Sequence, residues 1–221
     1  SLIPSRPYTE DLMGLPVINI RYVPLSNTWN ALMKRLVDIF GSIFCIILFS
    51  PVMLFAAVGT RVTSKGPIIY RQTRIGLHSK PFTMYKFRTM RVQSAEEEKK
   101  GWTIPGDDRV TKFGSFLRRT SIDEMPQFFN VLAGKMSLVG PRPERPQFVD
   151  KFREEIPRYM VKHQVRPGLT GWAQVNGYRG DTSIRKRIEY DLYYIENWSL
   201  GFDFRILFLT VFKGFINKNA Y

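Results

Sequence analysis

Residues 39–60 of the chain are IFGSIFCIILFSPVMLFAAVGT, a run of 22 residues without a charged side chain. About 20 apolar residues in a helix are enough to span the hydrocarbon core of a bilayer, so this run predicts a membrane-associated helix. Ser50 and Pro51 lie at its middle. Because proline has no backbone N–H, the carbonyl of Ile47 loses its helical partner, and the Ser50 hydroxyl is placed to bond back to Ile46. We therefore expect a sharp bend at Ser50-Pro51.

Basic side chains flank this run on both sides. Two precede it and four follow it: Lys34, Arg35, Arg61, Lys65, Arg71 and Arg74. Since cytoplasmic flanks carry the excess of Lys and Arg in membrane proteins, both ends of the helix are expected in the cytoplasm. The sequence predicts a re-entrant membrane helix over residues 31–66, and an ordinary kinked transmembrane helix is the alternative.

The segments on either side of this helix differ in kind. Residues 1–30 contain four prolines and one short alternating piece, Val17–Ile20, a pattern typical of an extended linker with a single strand. We expect this linker to come from an upstream domain. Residues 67–221 are expected to form a cytoplasmic domain.

Residues 198–216 form a second apolar run, interrupted by Asp203, Arg205 and Lys213. Asp203, Thr210 and Gly214 share one stripe at helical spacing, which favours a helix lying in the membrane interface. Packing of this helix in the core is the alternative. Together the patterns predict an α+β, mostly helical, monotopic membrane protein with a re-entrant helical hairpin, interfacial amphipathic helices and a small β element.

The chain is strongly basic, with 33 Lys and Arg against 19 Asp and Glu and a formal net charge of +14. Such a charge favours an anionic partner, whether phosphates, nucleic acid or anionic membrane lipids. A nucleic-acid-binding protein would leave the uncharged run of residues 39–60 without an explanation. The single cysteine, Cys45, excludes an internal disulfide, and His78 and His163 are too far apart to predict a local metal pair.

Eight basic residues and no acidic one lie between Arg61 and Arg91, which predicts a surface that faces phosphate. Within this region residues 82–90, FTMYKFRTM, alternate bulky apolar and polar side chains. This alternation is typical of a strand with one wet face, and it places Lys86 and Arg88 on the same side. A solvated strand face near anionic lipid is the alternative interpretation.

An adjacent pair of carboxylates, Asp123 and Glu124, follows Arg118 and Arg119. The spacing from Ser121 to Glu124 is that of a capping box at a helix start, although a proline at 126 favours a start nearer Asp123. Two neighbouring carboxylates at such a site can hold a divalent cation, and one oxygen can act as a nucleophile toward phosphorus. The structural and the catalytic roles both remain open at this point.

Residues 140–146, GPRPERP, predict a stiff turn. A turn of this kind fixes Arg142 and Arg145 in space, and a fixed guanidinium suits bidentate contact with phosphate. A purely structural proline-rich turn is the alternative.

Four motifs in this order closely resemble the monotopic bacterial polyprenyl-phosphate phosphoglycosyl transferases. They are the Ser50-Pro51 break, KFRTM at 86–90, LRRTSIDEMPQ at 117–127 and GPRP at 140–143. The resemblance extends from about Trp29 to the C-terminus. Residues 166–180 and 189–200 and the Asn219-Ala220-Tyr221 ending are most similar to the branch of undecaprenyl-phosphate glucose phosphotransferases. Members of that branch carry an N-terminal membrane region and a further domain, so we expect this chain to be the catalytic C-terminal part of a larger protein.

The resemblance implies transfer of a sugar 1-phosphate, with glucose 1-phosphate favoured, from a UDP-sugar to undecaprenyl phosphate with release of UMP. It implies that Asp123 is the nucleophile, that Asp123 and Glu124 hold Mg²⁺, and that five cations bind the UDP-sugar phosphates: Lys86, Arg88, Arg118, Arg142 and Arg145. It places the protein on the cytoplasmic face of the bacterial inner membrane, among anionic lipids, at the start of exopolysaccharide or capsule assembly. A homodimer is left open. A non-catalytic basic membrane scaffold or lipid-binding protein of the same fold is the alternative.

Overall fold

The computed structural model describes residues 8–12, 15–19, 23–91, 108–178 and 182–214. In these ranges the chain is mostly helical with three two-stranded sheets, and the α+β, mostly helical class is confirmed. The helices are α1 Thr28–Thr63, α2 Lys112–Arg119, α3 Gln127–Leu132, α4 Pro146–Glu155, α5 Trp172–Val175, α6 Ile184–Glu196 and α7 Leu200–Gly214. The strands are β1 Tyr8–Leu12, β2 Leu15–Asn19, β3 Ile69–Ile75, β4 Pro81–Phe87, β5 Ser137–Val139 and β6 Gly168–Thr170.

Helix α1 is the one described helix that is long and apolar enough to cross a membrane. Asn27 begins it, since its side chain accepts hydrogen bonds from the backbone N–H groups of Trp29 and Asn30, as an N-cap residue does. The helix then continues without interruption through Pro51 to Thr63. A hairpin with a break at Ser50-Pro51 is therefore not what the described chain shows.

The reason lies in one hydrogen bond. The Ser50 hydroxyl donates to the carbonyl of Ile47 at 2.8 Å, whereas the sequence suggested Ile46. The Ile47 carbonyl is the acceptor that Pro51 cannot serve. Because the hydroxyl replaces the missing backbone donor, the helix accommodates the proline without ending there.

One face of α1 is built into the protein body. Lys34, Asp38 and Ser42 are buried at four-residue spacing, and Ala56 and Thr60 are buried further along. The opposite face exposes large apolar side chains: Trp29, Leu32, Leu36, Phe40, Ile43, Phe44, Ile47, Leu48, Leu54, Phe55, Val58 and Val62. Removing such a surface from water is favourable, which agrees with a membrane-associated helix.

Charged residues on the buried face anchor the first half of α1. Lys34 Nζ donates to Asp203 Oδ2 at 2.6 Å, and Asp38 Oδ1 accepts from the Leu138 backbone N–H and the Ser137 hydroxyl, both at 2.9 Å. Buried charges are tolerated when they are paired and hydrogen-bonded in this way. The membrane helix is thus joined to α7 and β5 by specific polar contacts.

Two hydrophobic clusters hold the described chain together. The larger one surrounds β5 and includes Val139, Tyr159, Ile188 and Ile195. The smaller one contains Ala56 of α1, Phe87 of β4 and Leu117 of α2. Since α2 leads directly into the Asp123-Glu124 pair, the smaller cluster ties the second half of α1 to the candidate site.

The single strand expected in the N-terminal segment needs correction. The N-terminal segment holds two antiparallel strands, β1 and β2, in register from Tyr8 with Asn19 to Leu12 with Leu15, and not a single strand. The charged residues Glu10 and Asp11 hid the first strand from a search for apolar alternation. Residues 179–180 and the 219–221 ending used in the resemblance lie outside the described residues.

The last helix was predicted to lie in the membrane interface, with core packing as the alternative. It spans Leu200–Gly214 and its polar stripe points inward, because Asp203 is buried and the Thr210 hydroxyl bonds that of Thr170 at 2.7 Å. The outward face is apolar, with Phe204, Phe208, Val211 and Phe212 exposed. Core packing therefore explains the polar stripe, while the exposed apolar face is suited to a lipid surface.

Candidate active site

Asp123 and Glu124 lie in a 3-10 turn, Ile122–Glu124, between α2 and α3. Ser121 precedes it in the left-handed region, with φ 58°, and its side chain makes no capping bond to the turn. The capping box predicted from Ser121 to Glu124 was therefore wrong. Because Pro126 cannot donate a backbone hydrogen bond, the regular helix begins only after it, at Gln127, and the two carboxylates sit in the tight turn before it.

Glu124 is the meeting point of three segments of the chain. Its Oε1 accepts from Lys86 Nζ at 2.8 Å and from Arg142 Nη2 at 2.6 Å. Asp123 and Glu124 are each 8% exposed. Lys86 and Arg142 together offset the charge of the two carboxylates, so the pair repels an anionic substrate less than two unpaired carboxylates would.

Strand β4 delivers Lys86 to this site. It pairs antiparallel with β3, and Lys86 lies opposite Tyr70 in the register. The Asn130 side chain of α3 bridges the strand, accepting from the Tyr85 N–H at 3.0 Å and donating to the Thr83 carbonyl at 2.8 Å. The strand that carries Lys86 is therefore fixed directly to the helix that follows the carboxylate pair.

The segment that carries Arg142 is bound to strand β3 by two hydrogen bonds. Arg74 of β3 donates to the Pro143 carbonyl at 3.2 Å, and the Ile75 N–H donates to the Glu144 carbonyl at 3.0 Å. Burial, and then the neighbouring Arg142, lower the pKa of Arg74 to about 10. The guanidinium still carries its charge at neutral pH, so it adds to the positive field around Glu124.

Glu144 anchors the same segment in the core. Its Oε1 lies 3.3 Å from Arg187 Nη2 and 3.7 Å from Lys162 Nζ. Burial opposes its ionisation, but the cations Lys162, Arg187 and Arg74 outweigh that effect and hold its pKa below the ordinary value. Asp191 completes the cluster, with Oδ2 3.6 Å from Lys162 Nζ.

Arg74 and Glu144 were not predicted from the sequence as parts of the site. Glu144 lies within the proline-rich turn of residues 140–146, directly after Pro143. Its position in this turn was the one sequence feature that pointed to a role in the site. Lys162, Arg187 and Asp191 gave no comparable signal, because burial of a charge cannot be recognised from a single sequence.

The other cations proposed from the sequence occupy different places. Arg118 is half-buried and its Nε donates to the Thr89 hydroxyl at 2.8 Å. Arg145 is half-buried at the start of α4, within electrostatic range of Arg74. Lys86 and Arg142 form ion pairs with Glu124.

Arg88 does not share the position of Lys86. Strand β4 ends at Phe87, and the Arg88 guanidinium donates to the carbonyls of Lys65 at 2.6 Å and Ser64 at 2.7 Å. These acceptors lie just beyond the C-terminal end of α1. The expected common orientation of Lys86 and Arg88 therefore fails, since the second residue lies beyond the pleated strand.

The acidic pair is compatible with Mg²⁺ in its chemistry. Mg²⁺ is commonly bound through one or two carboxylates together with substrate phosphates and water. Within the described residues no group of three or more His, Cys, Asp and Glu side chains forms a self-sufficient metal cage. The residues present therefore fit a cation that is bound together with a phosphate substrate.

The arrangement can stabilise charge that develops on phosphate oxygens. A buried carboxylate at Asp123 stands next to a carboxylate already balanced by two cations, and further guanidinium groups lie around it. Fixed positive groups of this kind stabilise the transition state of phosphoryl transfer, and a carboxylate is an established type of nucleophile toward phosphorus.

Comparison with known proteins gives a consistent result. Residues 29–217 match the family described as bacterial sugar transferase. The chain is 51% identical over 217 residues to the UDP-glucose:undecaprenyl-phosphate glucose-1-phosphate transferase of Klebsiella pneumoniae, and 49% identical over 216 residues to that of Escherichia coli (strain K12). Each alignment covers 96% of this chain and 46% of the relative. The chain thus spans about half the length of these curated relatives.

A third relative has a different donor in its name. It is the UDP-N-acetylgalactosamine-undecaprenyl-phosphate N-acetylgalactosaminephosphotransferase of Aeromonas hydrophila, 49% identical over 183 residues, which cover 82% of this chain and 43% of the relative. Similar levels of identity therefore accompany different sugars.

Proposed function

The chain belongs to the bacterial sugar transferase family, and from this premise we propose that it transfers a sugar 1-phosphate from a UDP-sugar to undecaprenyl phosphate, releasing UMP. The observation that carries the proposal is the buried Asp123-Glu124 pair, whose Glu124 is held by Lys86 and Arg142. The names of the relatives in Klebsiella pneumoniae and Escherichia coli support the same substrates. The reaction starts the assembly of an exopolysaccharide or capsule repeat unit.

The reaction proceeds in two displacements at one phosphorus atom. A carboxylate oxygen of Asp123 attacks the β-phosphorus of the UDP-sugar, and the bond from this phosphorus to the bridging oxygen breaks, so that UMP leaves with the electron pair. The sugar 1-phosphate is then joined to Asp123 as an acyl phosphate. An oxygen of undecaprenyl phosphate attacks the same phosphorus, which releases the Asp123 carboxylate and yields the lipid diphosphosugar.

The surrounding cations make an attack by one anion on another feasible. Arg142 and Lys86 neutralise Glu124 and extend their positive field over the diphosphate, and we propose that Arg74, Arg118 and Arg145 add to this field. This preorganised charge lowers the repulsion between Asp123 and the phosphate oxygens.

Mg²⁺ is the proposed cofactor, held by Asp123 and Glu124 together with the donor phosphates. When bound, it supplies further neutralisation of the diphosphate charge. The roles of this chain's residues are to hold the donor and to present the Asp123 oxygen to the phosphorus.

Helix α1 is proposed to dip into the cytoplasmic leaflet of the bacterial inner membrane as a re-entrant element, with both ends on the cytoplasmic side and Pro51 as the position of a bend within the continuous helix. Both halves of the helix contact the same body: Lys34 binds Asp203, and the end of the helix binds Arg88. A helix that crossed the bilayer would carry one end about 30 Å away from the body on the other side. Anionic lipids complement the chain's positive charge.

Glucose 1-phosphate is the group we propose first, because UDP-glucose appears in the names of two relatives that are 51% and 49% identical over 96% of the chain. A panel of UDP-sugars that includes UDP-N-acetylgalactosamine tests this choice. The donor that gives the highest kcat/KM for UMP release identifies the sugar.

The proposal is tested by UMP release from purified protein with Mg²⁺ and undecaprenyl phosphate. We expect release in the parent and a fall by orders of magnitude in Asp123→Asn, because an amide cannot form the acyl phosphate. The melting temperature of the variant serves as the control for folding. A parent that binds lipid but releases no UMP from any donor would instead support the non-catalytic scaffold.

A further inference from the structure

Arg88 joins the membrane helix to the strand that serves the active site. Its Nη1 donates to the Lys65 carbonyl at 2.6 Å, and its Nη2 donates to the Ser64 carbonyl at 2.7 Å and the Ser64 hydroxyl at 2.9 Å. A guanidinium is suited to this task because its donors form a rigid fork.

The burial of Arg88 makes direct contact with a phosphate donor a poor explanation for its charge. The residue is 6% exposed, and both terminal nitrogens are committed to protein oxygens. Its backbone N–H also donates to the Ile68 carbonyl at 2.9 Å. The residue is therefore held within the protein at both its main chain and its side chain.

The neighbours of Arg88 connect this contact to the carboxylate pair. Lys86, two residues earlier, binds Glu124. Phe87 packs with Ala56 of α1 and Leu117 of α2, and α2 runs into the turn that carries Asp123. The second half of α1, the end of β4 and the carboxylate pair thus form one packed block.

We propose that Arg88 is a positioning residue that fixes the active site relative to the membrane helix, and so relative to the phosphate of the lipid acceptor. The inference rests on the proposed function. The UDP-sugar arrives from water and meets Lys86 and Arg142, which are positioned by Glu124 and by strands β3 and β4. The lipid acceptor arrives from the membrane, whose position is set by α1. Loosening the contact of Arg88 therefore weakens the acceptor step more than the donor step.

The test compares Arg88→Lys and Arg88→Gln with the parent in detergent micelles and in liposomes. The donor step is followed by exchange of labelled UMP into UDP-glucose without lipid, and the acceptor step by kcat/KM for undecaprenyl phosphate. Arg158→Gln is the matched control, because it removes a half-buried guanidinium from an ion pair with Glu196 and lies outside the site.

We expect kcat/KM for the acceptor to fall by about 10-fold to 100-fold in both Arg88 variants, the loss that a small misplacement of reacting groups produces. The fold-loss in the rate of UMP exchange is expected to be at least ten times smaller than the fold-loss in kcat/KM for the acceptor. Arg158→Gln is expected to change neither quantity. Amide hydrogen exchange over residues 58–66 is expected to become faster in the Arg88 variants alone, since lysine cannot donate to both carbonyls as the forked guanidinium does.

A different pattern would overturn the proposal. If Arg88 binds donor phosphate, Arg88→Lys retains most activity, Arg88→Gln loses it, and the loss falls on the UDP-glucose step. Unchanged hydrogen exchange over residues 58–66 would refute the contact with α1 directly. A parent that neither exchanges nor releases UMP contradicts the proposed function itself, and the hydrogen-exchange result then decides the helix contact separately.

Discussion

At the residue scale, the contacts of Glu124 with two cations suggest that the two carboxylates of the acidic pair have different roles. A carboxylate that accepts from both Lys86 and Arg142 is fixed in orientation, which suits holding and not attacking. Asp123 occupies the adjacent position of the same turn. The fixed orientation of Glu124 agrees with its proposed holding role, and Asp123 remains the proposed nucleophile.

Two buried groups near the Arg142 segment predict opposite effects of pH on stability. Burial, and then Lys162, lower the pKa of His163 to about 4 from 6.5. The unfolded state thus takes up a proton first as the pH falls, and stability from this group is lost between about pH 6.5 and 4. Burial raises the pKa of Asp191 from 3.8 to about 6. Here the folded state takes up the proton first, and stability is gained as the pH falls from about 6 to 4.

His163→Gln and Asp191→Asn separate these contributions. Relative to the parent, we expect His163→Gln to lose less melting temperature between pH 7 and pH 5, and Asp191→Asn to lose more. Differential scanning fluorimetry at both pH values gives the comparison, because the pH difference within each variant cancels its overall loss of stability. Equal pH differences in all three proteins would show that neither group titrates as stated.

The sequence reveals residues of this site unevenly. Asp123 and Glu124 stand out because they directly follow Arg118 and Arg119 within the LRRTSIDEMPQ motif, and Lys86 and Arg142 also lie in recognisable motifs. Arg74 and Glu144 were missed because their roles depend on contacts between β3 and a segment some 70 residues away along the chain. Lys162 and Arg187 depend on burial, which is decided by tertiary packing.

At the element scale, α1 shows how a proline can lie within a long helix. The Ile47 carbonyl is served by the Ser50 hydroxyl because Pro51 has no N–H to offer. A carbonyl that lacks a hydrogen-bond donor in an apolar environment lowers the free energy of unfolding by between about 1 and several kcal/mol. Ser50 therefore compensates for the backbone donor that Pro51 lacks.

A double-mutant cycle tests this compensation. We expect Ser50→Ala to destabilise the parent by about 1 kcal/mol or more, and to have little effect in a Pro51→Ala background, where residue 51 again donates to Ile47. Urea or thermal unfolding in detergent measures both differences. Additive effects of the two substitutions would contradict the coupling.

The start of α2 is fixed by a close approach at Gly114. A Cβ placed there would lie 2.0 Å from the carbonyl oxygen of Thr89. Because the obstacle is backbone, Gly114→Ala is expected to displace α2, lower stability by about 1–3 kcal/mol and reduce UMP release through the attached carboxylate turn.

Gly201 provides the control for this prediction. It lies in α7 with open space around its Cβ position, so Gly201→Ala is expected to be neutral or to stabilise by up to about 1 kcal/mol, as alanine does in a helix. Melting temperatures and UMP release of both variants make the comparison. A Gly114→Ala variant as stable as Gly201→Ala would refute the close contact.

Sequence patterns predict elements best where a long periodic or apolar run exists. Helix α1 was expected over residues 31–66 and spans Thr28–Thr63, and the strand around Lys86 was also found. The prediction of a capping box was wrong because Ser121 is in the left-handed conformation. The regular helix begins only after the proline at 126. The inward polar stripe of α7 depends on Lys34, which lies 169 residues away in sequence from Asp203.

At the scale of the whole molecule, one apolar surface and one charged site are joined by α1. The exposed faces of α1 and α7 are both apolar, while the acidic pair and its cations lie in the block attached to the second half of α1. A lipid phosphate at the membrane surface and a UDP-sugar in water can therefore meet at one site.

Cysteine labelling tests the placement of α1. In a Cys45→Ser background, single cysteines at Trp29 and Lys65 are both expected to react with a membrane-impermeant maleimide only from the cytoplasmic side, in inverted but not in right-side-out vesicles. Reaction of the two positions from opposite sides would show that α1 crosses the bilayer.

The most direct test of the central claim is the search for a covalent adduct on Asp123. The parent protein is incubated with UDP-glucose and Mg²⁺ in the absence of undecaprenyl phosphate, and intact-mass and peptide mass spectrometry follow. The account predicts a hexose phosphate on the peptide that contains Asp123, formed with one equivalent of UMP, lost on addition of undecaprenyl phosphate and absent from Asp123→Asn. Continued UMP release with lipid acceptor but without any adduct on Asp123 would contradict it.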